Sequence, residues 1–258
     1  MTMTLRRLGQ SELYVAPVAL GCWPLAGITS GAMTDAEAAA VLNAALESGV
    51  NHLDTAHAYG RDGESERRVG QAIRERRDEV VLATKVGVYW DENGQLQRTG
   101  RPSLLRRHFE ESLRRLGVER VDLLYLHAPA DDAPISESAG LFRELLNEGK
   151  ARAVGVSNLA VADMESFAAE CPFHACQVRY NRLQREAEAD VLPWCIEHGV
   201  SLVAYEPLAL GLLTGKFTAD HVFAADDWRL RSPLFTGDAW IDNLAEVERL
   251  PPRSLAAR

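Results

Sequence analysis

Short apolar runs alternate with longer segments of helical period through most of this chain, and that rhythm restricts the fold more than any other feature of the sequence. The runs are Val18 to Gly21, His52 to Thr55, Val80 to Val86, Val121 to His127, Ala151 to Ser157, Ala175 to Tyr180 and Ser201 to Tyr205. They are rich in Val, Ile, Leu and Ala, as strands buried on both faces are, so repeated βα units and a parallel sheet follow. Thr34 to Ser48 reads as a helix in which Thr34 caps, Glu37 completes a capping box and Gly49 stops the helix. Arg101 to Leu116 reads as another, with Ser103 as its cap and Gly117 at its end. Leu104, Leu105, Phe109, Leu113 and Leu116 form its apolar stripe, and its arginines read as a solvated outer face. Ahead of the first strand, the turn within Leu8 to Leu13 predicts a small hairpin outside the repeat.

Parallel strands joined by helices build either an open doubly wound sheet or a closed barrel, and in both the carboxyl ends of the strands gather where ligands bind. Here six of those ends deliver a polar group: Asp54, Lys85, His127, Ser157 with Asn158, Gln177, then Tyr205 with Glu206. A ring of polar groups from six strands fits a barrel mouth better than one crevice. The glycine-rich dinucleotide fingerprint that would follow the first strand of an open sheet is absent.

At that mouth the stretch DTAHAYG places a carboxylate, Asp54, five residues before a phenol, Tyr59. A phenol titrates near ~10, too high to give up a proton readily at neutral pH, unless a cation favours its ionised form. Lys85 supplies such a cation, and a lysine buried at a strand end keeps its charge only beside a carboxylate, here Asp54. His127, in LLYLHAP, is placed to hydrogen-bond a substrate oxygen above Tyr59. The set suits proton transfer at a carbonyl or alcohol. Individually the residues have plainer readings: Asp54 as a cap, Tyr59 as a loop aromatic, His127 as an ordinary strand-end histidine. Lysine usage favours the joint reading, because only Lys85, Lys150 and Lys216 stand among 28 basic residues. His57 reads equally as a surface group or a participant, and Glu64 to Arg68 as the exposed first turns of a helix. Trp23, Tyr89, Trp90 and Trp228 suit a pocket lining or a core.

Charge and composition bound the partners. The 258 residues are 47% hydrophobic and 25% charged, a globular balance, and a net charge of −9 without a basic patch argues against nucleic acid. No apolar run approaches the ~18 residues of a membrane span and no secretory pattern opens the chain, so a cytoplasmic location is expected. Cys22, Cys171, Cys176 and Cys195 form no metal-binding spacing, even with His174 between the middle two, and read as free thiols.

Six ordered motifs, NHLDTAHAYG, TKVG, LLYLHAP, AVGVSN, QVRYN and AYEPLALGLLTGK, resemble the aldo-keto reductase family across roughly residues 5 to 217. The resemblance implies a (β/α)8 TIM-type barrel with an N-terminal hairpin, reducing aldehydes and ketones, or oxidising alcohols, with NADP(H) more than NAD(H). It implies Tyr59 as general acid, Lys85 and Asp54 as its partners, and His127 as the group that orients the carbonyl. Ser157, Asn158 and Gln177 would hold the nicotinamide carboxamide and Tyr205 would stack on its ring. Pro207, Leu208, Gly211 and Lys216 match the segment over the pyrophosphate, and Gly21, Cys22 and Trp23 the loop beside the nicotinamide.

Two departures from the family pattern stand out. Glu206 occupies a place where a small polar residue is usual, and its carboxylate would either repel a phosphate or turn away. Trp240 to Leu250 reads as a helix broken by Pro251 and Pro252, with no eighth strand after it, so residues 1 to 258 read as a single barrel domain truncated after its seventh strand. Three expectations follow: a working reductase whose open edge is covered by a partner subunit, a swapped element or the loop from Phe217 to Trp240; a cofactor-weak scaffold; or a fragment of a longer enzyme.

Overall fold

The apolar runs fold into strands and the periodic segments into helices close to their expected limits, in a computed structural model that describes residues 3–27, 32–225 and 227–250. In chain order the elements are β1 (Arg6–Arg7), β2 (Tyr14–Val15), β3 (Leu20–Gly21), α1 (Asp35–Glu47), β4 (His52–Asp54), α2 (Glu64–Ile73) and β5 (Val81–Val86). Then come β6 (Val88–Trp90), β7 (Leu96–Arg98), α3 (Pro102–Leu116), β8 (Val121–Leu126), α4 (Ile135–Asn147), β9 (Ala151–Ser157) and α5 (Val161–Glu170). β10 (Ala175–Arg179), α6 (Val191–His198), β11 (Ser201–Tyr205) and α7 (Gly237–Glu248) complete the set. The chain divides into two compact units, one running to Val178 and including Ala189–Val203, the other made of Arg179–Glu188 and the chain from Ala204 on.

The main sheet has seven strands in the order β3, β4, β5, β8, β9, β10, β11, which is chain order apart from the β6–β7 hairpin. Every pairing from β3 through β10 is parallel. A doubly wound sheet reverses its strand order at a switch point, whereas a barrel is laid down in unbroken succession. The succession here is that of the TIM-type barrel.

In the first unit, Leu8, Leu13 and Val15 of the antiparallel β1–β2 hairpin pack with Val81, Ala83, Leu123, Tyr125, Ala153 and Ala175 from four strands. The hairpin is thereby a plug, and burying each large apolar side chain contributes about 1.5–3 kcal/mol. The plug is also pinned by polar bonds, Gly9 N to Ser201 Oγ at 2.7 Å and Gln10 Nε2 to the His198 carbonyl at 3.1 Å. Tyr125 fills the interior beside Gly155, where an added Cβ would lie 2.3 Å from the Tyr125 ring. Glycine is required there by close approach.

Local chemistry sets the helix ends. Thr34 Oγ1 accepts from Glu37 N at 3.2 Å and Glu37 Oε2 from Thr34 N at 2.8 Å, the reciprocal box expected from the sequence. Ser103 does not cap α3: Pro102 takes the first helical position, with its backbone angle already set, and Ser103 falls inside the first turn. Glu64 to Arg68 does begin a helix, but Ser65 and Glu66 are fully buried rather than exposed. Between Tyr89 and Gly100 the chain forms a hairpin, in which β6 and β7 pair across a turn whose Asp91 Oδ1 accepts from Asn93 N and Gln95 N. In the second unit, Ala209, Leu212, Phe217, Phe235 and Val247 form a small core with Phe223, Trp240 and Leu244 packed on it. The expected helix at Trp240 is present as α7, starting earlier at Gly237. Pro251, Pro252 and the remaining residues, where the truncation is expected, lie outside the described residues.

Candidate active site

Asp54 ends β4 and Lys85 stands one residue from the end of the adjacent β5, so the parallel pairing brings both to the same rim. Lys85 Nζ donates to Asp54 Oδ2 at 2.7 Å, to the Thr55 carbonyl at 3.0 Å and to the Tyr59 hydroxyl at 3.0 Å. Three donors meet three acceptors. The lysine is wholly buried. Burial alone would strip its proton, but Asp54 and Tyr59 outweigh it and hold the ammonium above the usual lysine value.

Tyr59 lies edge-on to Trp23, with ring centres 4.9 Å apart, and edge-on to His127 at 5.8 Å. Burial pushes its phenol above the usual tyrosine value while Lys85 pulls it down. The lowering expected from the cation is outweighed by burial, the larger effect here. His127 follows β8, its N–H bonded to the Val86 carbonyl at 2.9 Å. Burial, then the charges of Lys85 and Arg98, hold its imidazole well below the usual histidine range, so the ring is neutral at pH 7. Asp54 Oδ1 and His127 Nδ1, both buried, have no hydrogen-bond partner among the described residues.

The loop from Asp54 to Tyr59 is held from outside the barrel. Trp90 Nε1 donates to the Ala58 carbonyl at 2.9 Å and Arg115 Nη1 to the His57 carbonyl at 3.3 Å. His57 is buried, its Nε2 is 3.0 Å from Glu111 Oε2, and its ring stacks on His108 at 4.5 Å. Glu66 accepts from Thr84 Oγ1 at 2.7 Å and pairs with Arg115 at 3.3 Å. These supports escaped the sequence reading. The signal for Glu66 was present, since it stands three and seven residues before the buried Val69 and Ile73, on one helical stripe. The signal for the hairpin was Asn93-Gly94 between two short runs. Tyr89 and Trp90 do line a cleft, of about 480 Å³, with His57, His108 and Glu111.

The residues matched to a nicotinamide nucleotide fall in both units. In the first, Gly21 is paired in register with Asp54 and has open space where a Cβ would sit, Cys22 is buried, and Trp23 opens a short 3-10 turn. Ser157 ends β9 beside Gln177 in register, and Asn158 follows in a left-handed conformation, its Nδ2 bonded to the His127 carbonyl at 3.2 Å and to Ser157 Oγ at 3.0 Å. Gln177 Nε2 donates to Asp54 Oδ2 at 3.2 Å. A hydroxyl and two carboxamides beside open space and an unpartnered carboxylate oxygen fit a ring that carries an amide and a sugar.

In the second unit, Tyr205 ends β11, and Pro207 and Leu208 lead into the 3-10 stretch Ala209–Thr214, which contains Gly211 and is followed by Lys216. Glu206, Ala209, Leu210 and Gly211 all have positive φ. For the three that are not glycine, Glu206, Ala209 and Leu210, that region costs about 1–3 kcal/mol each, and such strain gathers at ligand-binding segments. The Glu206 carboxylate is turned to Arg179, 3.0 Å away, and Arg179 also lies over the Tyr205 ring.

A model of the aldo/keto reductase family matches residues 17–256. The chain belongs to that family. This reductase is 37% identical over 245 residues to the aldo-keto reductase YhdN of Bacillus subtilis, covering 94% of this chain and 73% of that one. It is 32% identical over 231 residues to the NADH-specific methylglyoxal reductase of Escherichia coli, covering 83% and 70%. Among solved structures it resembles a glycerol dehydrogenase from Gluconobacter oxydans, with TM-score 0.86, 36% identity, and coverage of 95% and 76%. It also resembles a Klebsiella pneumoniae aldo-keto reductase in complex with NADPH, with TM-score 0.69, 33% identity, and coverage of 84% and 71%. The reductase is therefore a nicotinamide-dependent oxidoreductase for carbonyl compounds and the corresponding alcohols. No described helix is long and apolar enough to cross a membrane.

Proposed function

We propose that Tyr59 is the general acid for carbonyl reduction, and the general base for the reverse oxidation, in a site completed by Lys85, Asp54 and His127. The observation that carries this reading is the chain of short contacts from Asp54 Oδ2 through Lys85 Nζ to the Tyr59 hydroxyl, at 2.7 and 3.0 Å. Burial keeps Tyr59 protonated at neutral pH, so it arrives at the substrate with a proton to give. Lys85 stabilises the phenolate left behind, at the moment charge appears, and needs no reorganisation to do so. Asp54 keeps that lysine charged. The neutral His127 ring donates to the carbonyl oxygen and holds it over Tyr59.

When bound, the nicotinamide supplies the hydride to the carbonyl carbon or takes it from the alcohol. Ser157, Asn158 and Gln177 would hold its carboxamide, with Gly21, Cys22 and Trp23 beside it, Tyr205 against its ring, and Pro207, Leu208, Gly211 and Lys216 toward its phosphates. NADP(H) is preferred to NAD(H) in this reading. The NADPH-bound Klebsiella structure supports that preference, and the NADH-specific Escherichia coli relative weighs against it.

Tyr59→Phe tests the assignment. The variant keeps the ring and loses the proton, so kcat falls by about 10²–10⁴-fold while NADPH affinity, followed by tryptophan fluorescence, stays within about twofold. Equal losses in turnover and in cofactor binding would remove Tyr59 from the role. Titration of NADH in parallel decides the cofactor preference.

A further inference from the structure

The β6–β7 hairpin stands between α3 and the loop that carries Tyr59, and its register sorts its side chains. Val88 pairs with Arg98, Tyr89 with Gln97 and Trp90 with Leu96. Directly paired residues share a face and alternate along the strands, so Val88, Trp90, Leu96 and Arg98 lie on one face and Tyr89 with Gln97 on the other. Two contacts identify the faces. The Trp90 indole reaches the Ala58 carbonyl, next to Tyr59, whereas the Tyr89 ring meets His108 of α3 at 4.9 Å. Arg98 therefore shares the face turned to the Tyr59 loop.

Its position along the hairpin is also constrained. Thr99 N bonds the Gly87 carbonyl at 2.9 Å, which brings the chain next to Arg98 within two residues of Lys85. His127 N bonds the neighbouring Val86 carbonyl at 2.9 Å. The guanidinium is near enough to His127 that its charge helps to hold the imidazole neutral.

Arg98 is exposed, and no ion pair involves it among the described residues. Asp132, which holds the turn directly after Arg98, is already engaged by Thr99 Oγ1 at 2.7 Å, Gly100 N at 2.6 Å and Arg101 Nε at 3.1 Å. Glu111, on the helix behind the hairpin, is paired with His57. Asp91, at the hairpin tip, is spent on its own turn and on Gln97. A planar donor fork is thus left without a partner among the described residues at the rim of the catalytic cluster.

We propose that Arg98 receives the anionic end of the substrate, and that the reductase acts on short carbonyl compounds carrying a carboxylate. The inference rests on the reading of Tyr59 and His127 as the reacting end of the site. A single guanidinium matches a carboxylate bidentately and balances its one charge, whereas a phosphate ester would call for further cations. With His127 on the carbonyl oxygen and Arg98 on the carboxylate, the substrate is held at both ends and its carbonyl is aimed at Tyr59.

The test compares a short ω-oxo acid with its methyl ester and with an aldehyde of equal length ending in a phosphate ester, in the unmodified enzyme and in Arg98→Met. In the unmodified enzyme kcat/KM for the acid exceeds that for the ester by about tenfold or more, as expected of a charge-assisted contact. Arg98→Met abolishes that preference and leaves the ester within about twofold. Arg98→Lys restores part of it, since the charge returns without the fork. An absent preference in the unmodified enzyme, or one that survives in Arg98→Met, overturns the inference. A phosphate ester preferred over the acid, with that preference lost in Arg98→Met, overturns the carboxylate assignment. Turnover of the ester with no role for Arg98 leaves the Tyr59 reading intact, and Tyr59→Phe tests that reading separately.

Discussion

Lys85 and Asp54 form a buried ion pair, with Nζ 2.7 Å from Oδ2 and the lysine side chain wholly out of solvent. Because burial opposes the ammonium and Asp54 is the largest of the groups that oppose burial, the carboxylate is what keeps Lys85 charged. Asp54→Asn removes that charge and keeps the shape. The variant is expected to unfold about 3 kcal/mol more easily in urea, as a broken buried pair does. Its kcat falls by about tenfold to a hundredfold, and the alkaline limb of its pH profile moves to lower pH as Lys85 loses its proton earlier. An unshifted limb would show that Asp54 does not set the charge on Lys85.

Trp90→Phe keeps an aromatic ring on the hairpin and deletes only the donor to the Ala58 carbonyl. The Tyr59 loop loses one of its outer ties, so kcat should fall about three- to tenfold with the NADPH dissociation constant unchanged, a loss of about 1 kcal/mol of alignment. A change confined to cofactor affinity would mean the tie serves something other than Tyr59.

Glu66→Ala leaves Thr84 Oγ1 without its acceptor and Arg115 without its buried carboxylate. A cost of about 3 kcal/mol is expected, a drop in Tm of roughly 6–12 °C for a chain of this size. Glu66→Gln, which still accepts from Thr84, should lose less. Calorimetry of the two variants checks the order.

Acid should destabilise the reductase before its carboxylates titrate. Burial holds His52, His57, His108, His127 and His174 below the ordinary histidine value, with His108 lowered to about 4. A group depressed in the folded state contributes stability above its unfolded value and loses it as pH falls through the folded one, so Tm should decline from about pH 6.5 toward pH 4. Each extra proton bound by the unfolded chain adds about 1.4 kcal/mol per pH unit to the slope. A flat Tm between those limits would refute the burial of these rings. At the other extreme, Lys85 and Tyr59 are raised, and their contribution persists up to about pH 10 and is lost above it.

The strand succession is legible in the residue order, because a strand buried on both faces must be apolar throughout and the helices between must show one stripe; His52, Val121 and Ala151 begin strands where those runs begin, and the run from Val80 enters its strand one residue later, at Val81. The residue order also determined which side chains stand at the strand ends, since a parallel sheet sends every carboxyl end to one rim. What tertiary structure alone decided is how those groups are tuned. Tyr59 is raised rather than lowered because its surroundings are dry, and dryness is a property of packing that no spacing records. Glu66 is buried because Thr84 and Arg115 arrive from elsewhere to satisfy it, and Trp90 and Arg98 face the Tyr59 loop because the hairpin's pairing register turns them there. Local patterns encode which face a residue takes on its own element, and long-range pairing decides what that face meets.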